Sequence, residues 1–356
     1  MTGRMWIGWV AMLGAALGMG AAASAAPKAA PGTPPIQLAL DASEAQACLA
    51  ILDEENAGRP VAEADWRRLF SSQPYQWLVA REATFGHRMD EAAFRAFLAD
   101  PKTRAKARAW RETLDHMTAA DMPALGRGVL AWLPPGARIA ARVFPEIKPT
   151  SNSFVWTKPD AGPAIFLNVE NQSRDQFENT VSHELHHIGL NSLDDRQTAL
   201  QAGLSDRVKL AMKWMTAFGE GEAMLAAAGS TERHPHWEDD ALIRARWDSD
   251  MAHFNADVGA VTALLNDILD GRLTTDDEIR RRAAPFWGVQ GAWYTVGYEM
   301  AVLVDKRFGR AVLNDCLLDP RELLTRYNAV AREANAQGAS LALWPDALIA
   351  QLKPAG

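Results

Sequence analysis

His183 and His187 stand four residues apart in the run Val181-Ser-His-Glu-Leu-His-His-Ile-Gly-Leu190, with Glu184 beside the first of them. At 3.6 residues per turn, positions i and i+4 lie about 40° apart around a helix and share a face. Two imidazoles on one face can grip a zinc ion at about 2.0–2.1 Å each. The adjacent glutamate is then close enough to take a proton from a water that the ion activates. His-Glu-x-x-His on a helix is therefore chemistry for metal-assisted hydrolysis. The bland alternative is a buried helix with satisfied core histidines. It needs several well-placed polar partners for two imidazoles and a carboxylate together.

A hydrolytic zinc needs a third protein ligand and an open fourth position. Glu220 is the best candidate, in the mostly apolar segment Trp214 to Ala228. Small residues at Gly219, Gly221 and Ala223 would let this segment approach the motif helix closely. Glu222 competes, but two residues on it points roughly the other way. Asp194, Asp195, Asp206, His234 and His236 are further options in less apolar settings. His186 is not expected to bind, because His183 and His187 already share the ligand face. Hydrolysis also needs a donor for the oxyanion that develops. Tyr294 and Tyr298 lie one turn apart on an expected helix from Gln290 to Phe308. Tyr298 is preferred because Gly297 permits close approach; Tyr294 is the alternative, and His253 a further one.

The elements that must position these groups can be read from periodicity. Ala164 to Glu170 is a compact apolar run, and a strand is expected there. A polar turn follows, and the motif helix then runs without Gly or Pro until Gly189 and Asn191. Strands are also expected at Gly128 to Leu133, Arg138 to Pro145 and Phe154 to Trp156. Together they predict a small sheet beside the motif helix. Its edge could pair with an extended peptide, which makes Asn152, Ser153, Phe154 and Trp156 candidate substrate residues. Before this region, helical spacing recurs at Ala42 to Leu52, Glu63 to Phe70, Tyr75 to Phe85, Met89 to Leu98 and Lys102 to Met117. After it, Asp239 to Leu269 is periodic, and Thr274 to Glu278 reads as a capped helix start. The expected fold class is α+β, predominantly helical.

With these motifs in hand, the chain resembles the glutamate-zinc peptidases called gluzincins. They pair His-Glu-x-x-His with a glutamate on a later helix, often as Glu-Gly-x-Ala; here that element reads Glu220-Gly-Glu-Ala223. The resemblance implies a gluzincin-like fold, His183, His187 and Glu220 as ligands, and Glu184 as general base. A wider stretch, about residues 130–310, is similar to a sparsely characterised bacterial family of zinc-dependent peptidases. It includes Leu133 to Ile139, Ile147 to Trp156, the motif helix and Gln290 to Ala301. The resemblance implies a reaction class and not a substrate. Here the residue before Glu220 is Gly rather than the frequent Asn, and the spacing from the motif helix is longer than in the shortest-linked gluzincins.

The remaining features bound the setting. Arg4, an apolar stretch to Gly20 and the small residues Ala21 to Ala26 read as a secretory signal peptide over residues 1–26. Export to the periplasm or the medium is expected. Residues 27–35 read as a linker, 36–125 as an N-terminal helical subdomain and 126–356 as the catalytic region, the last two packed as one globular unit. The chain of 356 residues carries 37 Lys and Arg against 44 Asp and Glu, a net charge of −7. That balance, without a long basic block, argues against nucleic acid as a partner. No stable membrane insertion is expected once the signal is removed. Cys48 and Cys316, the only two cysteines, are a candidate disulfide in an oxidising compartment. The expected cofactor is one zinc ion per chain, and the expected partner a peptide or protein substrate. Oligomeric state is not legible. The competing readings are a non-peptidase metallohydrolase and an extracytoplasmic binding or scaffolding protein with a structural zinc.

Overall fold

Ile36–Leu40 forms strand β1, at the start of the stretch that the sequence reads as a helical subdomain. The computed structural model describes residues 34–150, 152–170, 172–287 and 291–353. The signal-peptide reading and nearly all of the linker therefore lie outside the described residues. β1 pairs in parallel with β2 (Ile139–Glu146), placing Ile36 opposite Ile139 and Leu40 opposite Val143. β2 pairs in parallel with β4 (Gly162–Asn168), and β3 (Phe154–Lys158) pairs antiparallel with β4. The result is one mixed four-stranded sheet in the order β1-β2-β4-β3, with β3 at an edge.

The described residues form two compact units. The first comprises residues 34–126 and 139–181, the second 127–138 and 182–353. The ladder between β1 and β2 ties β2, β3 and β4 to the N-terminal helices. Those helices are α1 (Ser43–Asn56), α2 (Glu63–Phe70), α3 (Gln73–Thr84), α4 (Glu91–Ala99), α5 (Pro101–Arg104) and α6 (Ala107–Thr118). Within this unit Trp77, Leu78, Phe144, Phe154, Ala164 and Phe166 form one buried cluster.

The strand expected at Gly128 to Leu133 is not formed. Met122–Leu130 is helix α7, and a turn follows it. Asp121 explains the difference, because its Oδ1 accepts from the Ala124 N–H at 2.9 Å and so caps the helix. Pro123 falls in the first turn, where a missing N–H costs nothing.

The motif helix α8 (Arg174–Asn191) begins in the first unit and ends in the second. Its start is a reciprocal cap: Ser173 Oγ accepts from the Gln176 N–H at 3.2 Å, and Gln176 Oε1 accepts from the Ser173 N–H at 3.0 Å. Val181, Leu185, Ile188 and Leu190 are buried, as an amphipathic helix requires.

The rest of the second unit is helical: α9 (Asp194–Leu200), α10 (Asp206–Met215), α11 (Gly219–Ala228), α12 (Ala241–Met251), α13 (Phe254–Leu269), α14 (Asp276–Ala283), α15 (Ala292–Phe308), α16 (Arg310–Leu318), α17 (Pro320–Ala336) and α18 (Asp346–Gln351). The single periodic stretch expected from Asp239 to Leu269 is thus broken into α12 and α13. The start expected near Thr274 is a capping box between Thr275 and Glu278. Trp214, Phe218, Trp293, Tyr327 and Trp344 anchor one continuous apolar core in this unit, with α15 packed against α11, α13, α16 and α17. Among the described residues no helix is long and apolar enough to cross a membrane. The chain is a predominantly helical α+β protein.

Candidate metal centre

Helix α11 is buried along nearly its whole length, and it carries two acids, Glu220 and Glu222. Such a helix can lie deep only if its neighbours come close to its backbone. Gly221 makes this possible. A Cβ placed there would stand 2.0 Å from the Tyr298 nitrogen and 2.4 Å from the Tyr294 carbonyl oxygen. Gly297 is the reciprocal contact on α15, where a Cβ would stand 2.2 Å from the Phe218 carbonyl oxygen. The small residue at 221 thus serves contact with α15, rather than the approach to α8 expected from the sequence. Gly229, at φ 72°, ends α11 in the left-handed conformation that suits glycine.

This packing brings Glu220 to the motif face of α8. Glu220 Oε2 lies 3.3 Å from His183 Nε2 and 3.5 Å from His187 Nε2. The two Nε2 atoms are 3.1 Å apart. A tetrahedral shell with bonds of about 2.0–2.1 Å has ligand-to-ligand edges of about 3.3–3.4 Å. The three donor atoms therefore already form one triangular face of a zinc-sized tetrahedron. Glu220 Oε2 is buried and meets the two imidazoles only at 3.3 and 3.5 Å, long for charge-assisted hydrogen bonds. A cation in the triangle would satisfy it. His183 and His187 keep 12% and 15% of their side chains exposed, against 3% for Glu220, so the open side of the triangle is on the histidines. Among the described residues no fourth His, Cys, Asp or Glu joins this set.

The electrostatics fit a cation site. Burial opposes ionisation of Glu220, but the His187 and His183 charges and hydrogen bonds outweigh it and hold the carboxyl well below its usual range. Burial likewise opposes the His187 imidazolium, yet the Glu220 charge and hydrogen bond raise its pKa. Glu184 is pushed up by burial, with His183 and His187 pulling the other way. Its Oε2 is enclosed without a hydrogen-bond partner. His186 faces elsewhere: burial holds it neutral, far below its usual value, and it hydrogen-bonds the Trp132 main chain.

Tyr294 rather than Tyr298 stands beside the triad. Its phenol is pushed far up, first by burial, then by the charge and hydrogen bond of Glu220 and by the charge of Glu184. Tyr298 instead packs its ring edge-on against Trp247 at 5.3 Å. Glu222 is buried apart from the triad and is raised to about 8 by desolvation. Asp194, Asp195, Asp206, His234, His236 and His253 do not join the triad. His253 lies near Asp250 and Asp257.

The proposed substrate residues belong to the first unit. Ser153 Oγ accepts from the Asn168 N–H at 3.1 Å, and the Asn152 carbonyl accepts from Lys148. Phe154 stacks on Phe166 at 4.8 Å, and Trp156 meets Trp77 edge-on. Cys48 and Cys316 are free, buried thiols rather than a disulfide. Cys48 Sγ instead donates to Glu44 Oε1 at 3.1 Å, inside the first unit, while Cys316 lies on α16 of the second. A hollow of about 530 Å³ lined by Leu40, Asp41, Ser43, Gln46, Thr118 and Met122 contains no comparable donor set among the described residues.

A helix-borne His-Glu-x-x-His with a carboxylate from a later helix defines the zinc-peptidase class of metal centre. The chain belongs to the family described as "Putative zinc dependent peptidase (DUF5700)", whose match covers residues 66–336, about three quarters of its length. No curated protein and no solved structure matches the chain.

Proposed function

We propose that the protein is a gluzincin-type metallohydrolase that cleaves peptide bonds with zinc held by His183, His187 and Glu220. The observation that carries this reading is the donor triangle of 3.1, 3.3 and 3.5 Å, set beside a glutamate with an unpartnered oxygen. When bound, zinc supplies a Lewis acid for the scissile carbonyl and lowers the pKa of the attacking water. Glu184 takes the proton from that water and later hands it to the leaving amine. Its raised pKa, caused first by burial, suits a group that must both accept and return a proton. Tyr294 is the donor for the developing oxyanion, and it also holds Glu220 in place.

The three-residue donor set favours this reading over a structural zinc, which four protein ligands would close. We further propose, from the signal-like pattern of residues 1–26, that the protein is exported and acts on a substrate outside the cytoplasm. The test is digestion of a peptide library by wild type and Glu184→Gln at equal zinc content. Cleavage by wild type and its loss in the variant are expected. Equal cleavage by both removes Glu184 from the chemistry. Cleavage of esters or amidated cell-wall precursors without cleavage of peptides transfers the site to the non-peptidase class.

A further inference from the structure

The segment joining α11 to α12 reads Ser230-Thr-Glu-Arg-His-Pro-His-Trp-Glu-Asp-Asp240. Its turns bring His236, Glu238 and Asp239 together, so that one donor atom from each lies within 4.8 Å of the other two. His236 Nδ1 is 2.9 Å from Asp239 Oδ2. We propose that these three residues form a second metal site, for a first-row divalent transition ion, independent of the zinc at His183 and His187.

Three features build the site. The first is ligand type: two carboxylates and one imidazole match a divalent cation, and the imidazole favours zinc-like ions over calcium or magnesium. The second is reach: zinc bonds of about 2.0–2.2 Å to nitrogen and carboxylate oxygen give donor-to-donor edges of about 3.3–3.6 Å, and these donor atoms already lie within 4.8 Å of one another. The third is support around the ligands. The His236 ring lies 5.3 Å from Trp247, and the His236 N–H donates to His234 Nδ1 at 3.0 Å. His234 Nε2 is in turn 3.3 Å from Asp248 Oδ1. Asp240 is committed elsewhere, since its Oδ1 accepts the Leu242 and Ile243 N–H groups and caps α12. Arg244 bonds the Asp239 main-chain carbonyl. The side chains of His236 and Asp239 remain 15% and 21% exposed, which leaves room for water to complete the shell.

The ion would clasp the loop that follows the Glu220 helix. Trp247, under the His236 ring, also packs edge-on against Tyr298 of α15. The clasp therefore braces the helix that carries Tyr294. The count of one zinc expected from the sequence then describes the hydrolytic centre alone.

The test is calorimetric titration of chelator-treated, full-length protein with Zn(II), with folding checked by circular dichroism. Wild type should take up two equivalents. His236→Ala and Asp239→Asn should each take up one, and so should His183→Ala, which keeps the loop site. A zinc-edge diffraction map of wild type should also place density at His236, Glu238 and Asp239. One equivalent in wild type that persists in both loop variants, or two equivalents retained in both loop variants, overturns the proposal. So does a zinc-soaked crystal without density at the loop. Loss of the His183 site alone would count against the proposed hydrolytic centre and leave the loop site standing.

Discussion

The Tyr298 main-chain nitrogen stands 2.0 Å from the point where a side chain on Gly221 would begin. The backbones of α11 and α15 are therefore in direct contact one residue after Glu220 and one turn after Tyr294. Glu220, the candidate metal ligand, and the tyrosine that hydrogen-bonds it are set by the same helix pair.

Gly221→Ala should force these two backbones apart, because the clashing atoms are main chain and cannot rotate away. The expected cost is at or above the upper end of about 1–3 kcal/mol for overpacking. Zinc affinity should fall with it, as Glu220 and Tyr294 move. Denaturant unfolding and zinc titration of the same variant check both parts.

The two tyrosines separate by kinetics. Tyr294→Phe should lower kcat by about 10²-fold or more, the loss expected for one oxyanion donor. Tyr298→Phe should leave kcat in the same order of magnitude, since its ring packs on Trp247. Steady-state assays on the two variants decide between them; an equal loss in both contradicts the assignment.

Zinc should stabilise the fold, because His183, His187 and Glu220 form a ligand set only when α8 and α11 are packed. At a free zinc concentration about a hundred times Kd, linkage gives about 2.7 kcal/mol. Chelation should lower Tm in wild type, and the shift should shrink in Glu220→Gln. Thermal melts with and without chelator measure it.

A pH effect is expected from the first unit. Glu44 and Glu146 are both buried, and Lys148 Nζ lies 3.4 Å from Glu146 Oε2. Burial first, then the Glu146 charge, raises Glu44 above its ordinary value of 4.5. Burial also raises Glu146, against the pull of Lys148. A raised carboxylate pKa means that the folded state keeps a proton which the unfolded state has released. Stability should therefore fall as pH rises from about 4.5 through the folded-state values toward neutrality and above. Glu44→Gln should gain on wild type across that window and lose the advantage below it. Its carbonyl can still accept the Ile147 N–H, now 3.0 Å from Glu44 Oε2. Denaturant melts at several pH values test the sign.

What was legible in the chain follows from range. His183 and His187 are four residues apart, so helix geometry alone puts them on one face. Glu220 could be named because an acid among glycines and alanines is out of place on a surface helix. The choice between Tyr294 and Tyr298 was not legible. Both share a face of α15, and the selection depends on where α15 meets α11. Gly297 was a real signal of close approach, but its contact is the Phe218 carbonyl. β1 was hidden because five residues following a Pro-rich stretch carry little pattern, and its partner β2 lies a hundred residues on. The run Gly128 to Leu133 suits a strand by composition, and the cap at Asp121 decides otherwise. Cys48 and Cys316 could be paired on paper, but a thiol's neighbour is a property of the fold.

The central claim is an open zinc site on α8 and α11. Its most direct test is a zinc-edge diffraction map of crystals grown from zinc-replete protein. Density is expected bonded to His183 Nε2, His187 Nε2 and a Glu220 carboxylate oxygen, with water at the fourth position. Absence of density among these three residues, or a fourth protein ligand closing the shell, would contradict it.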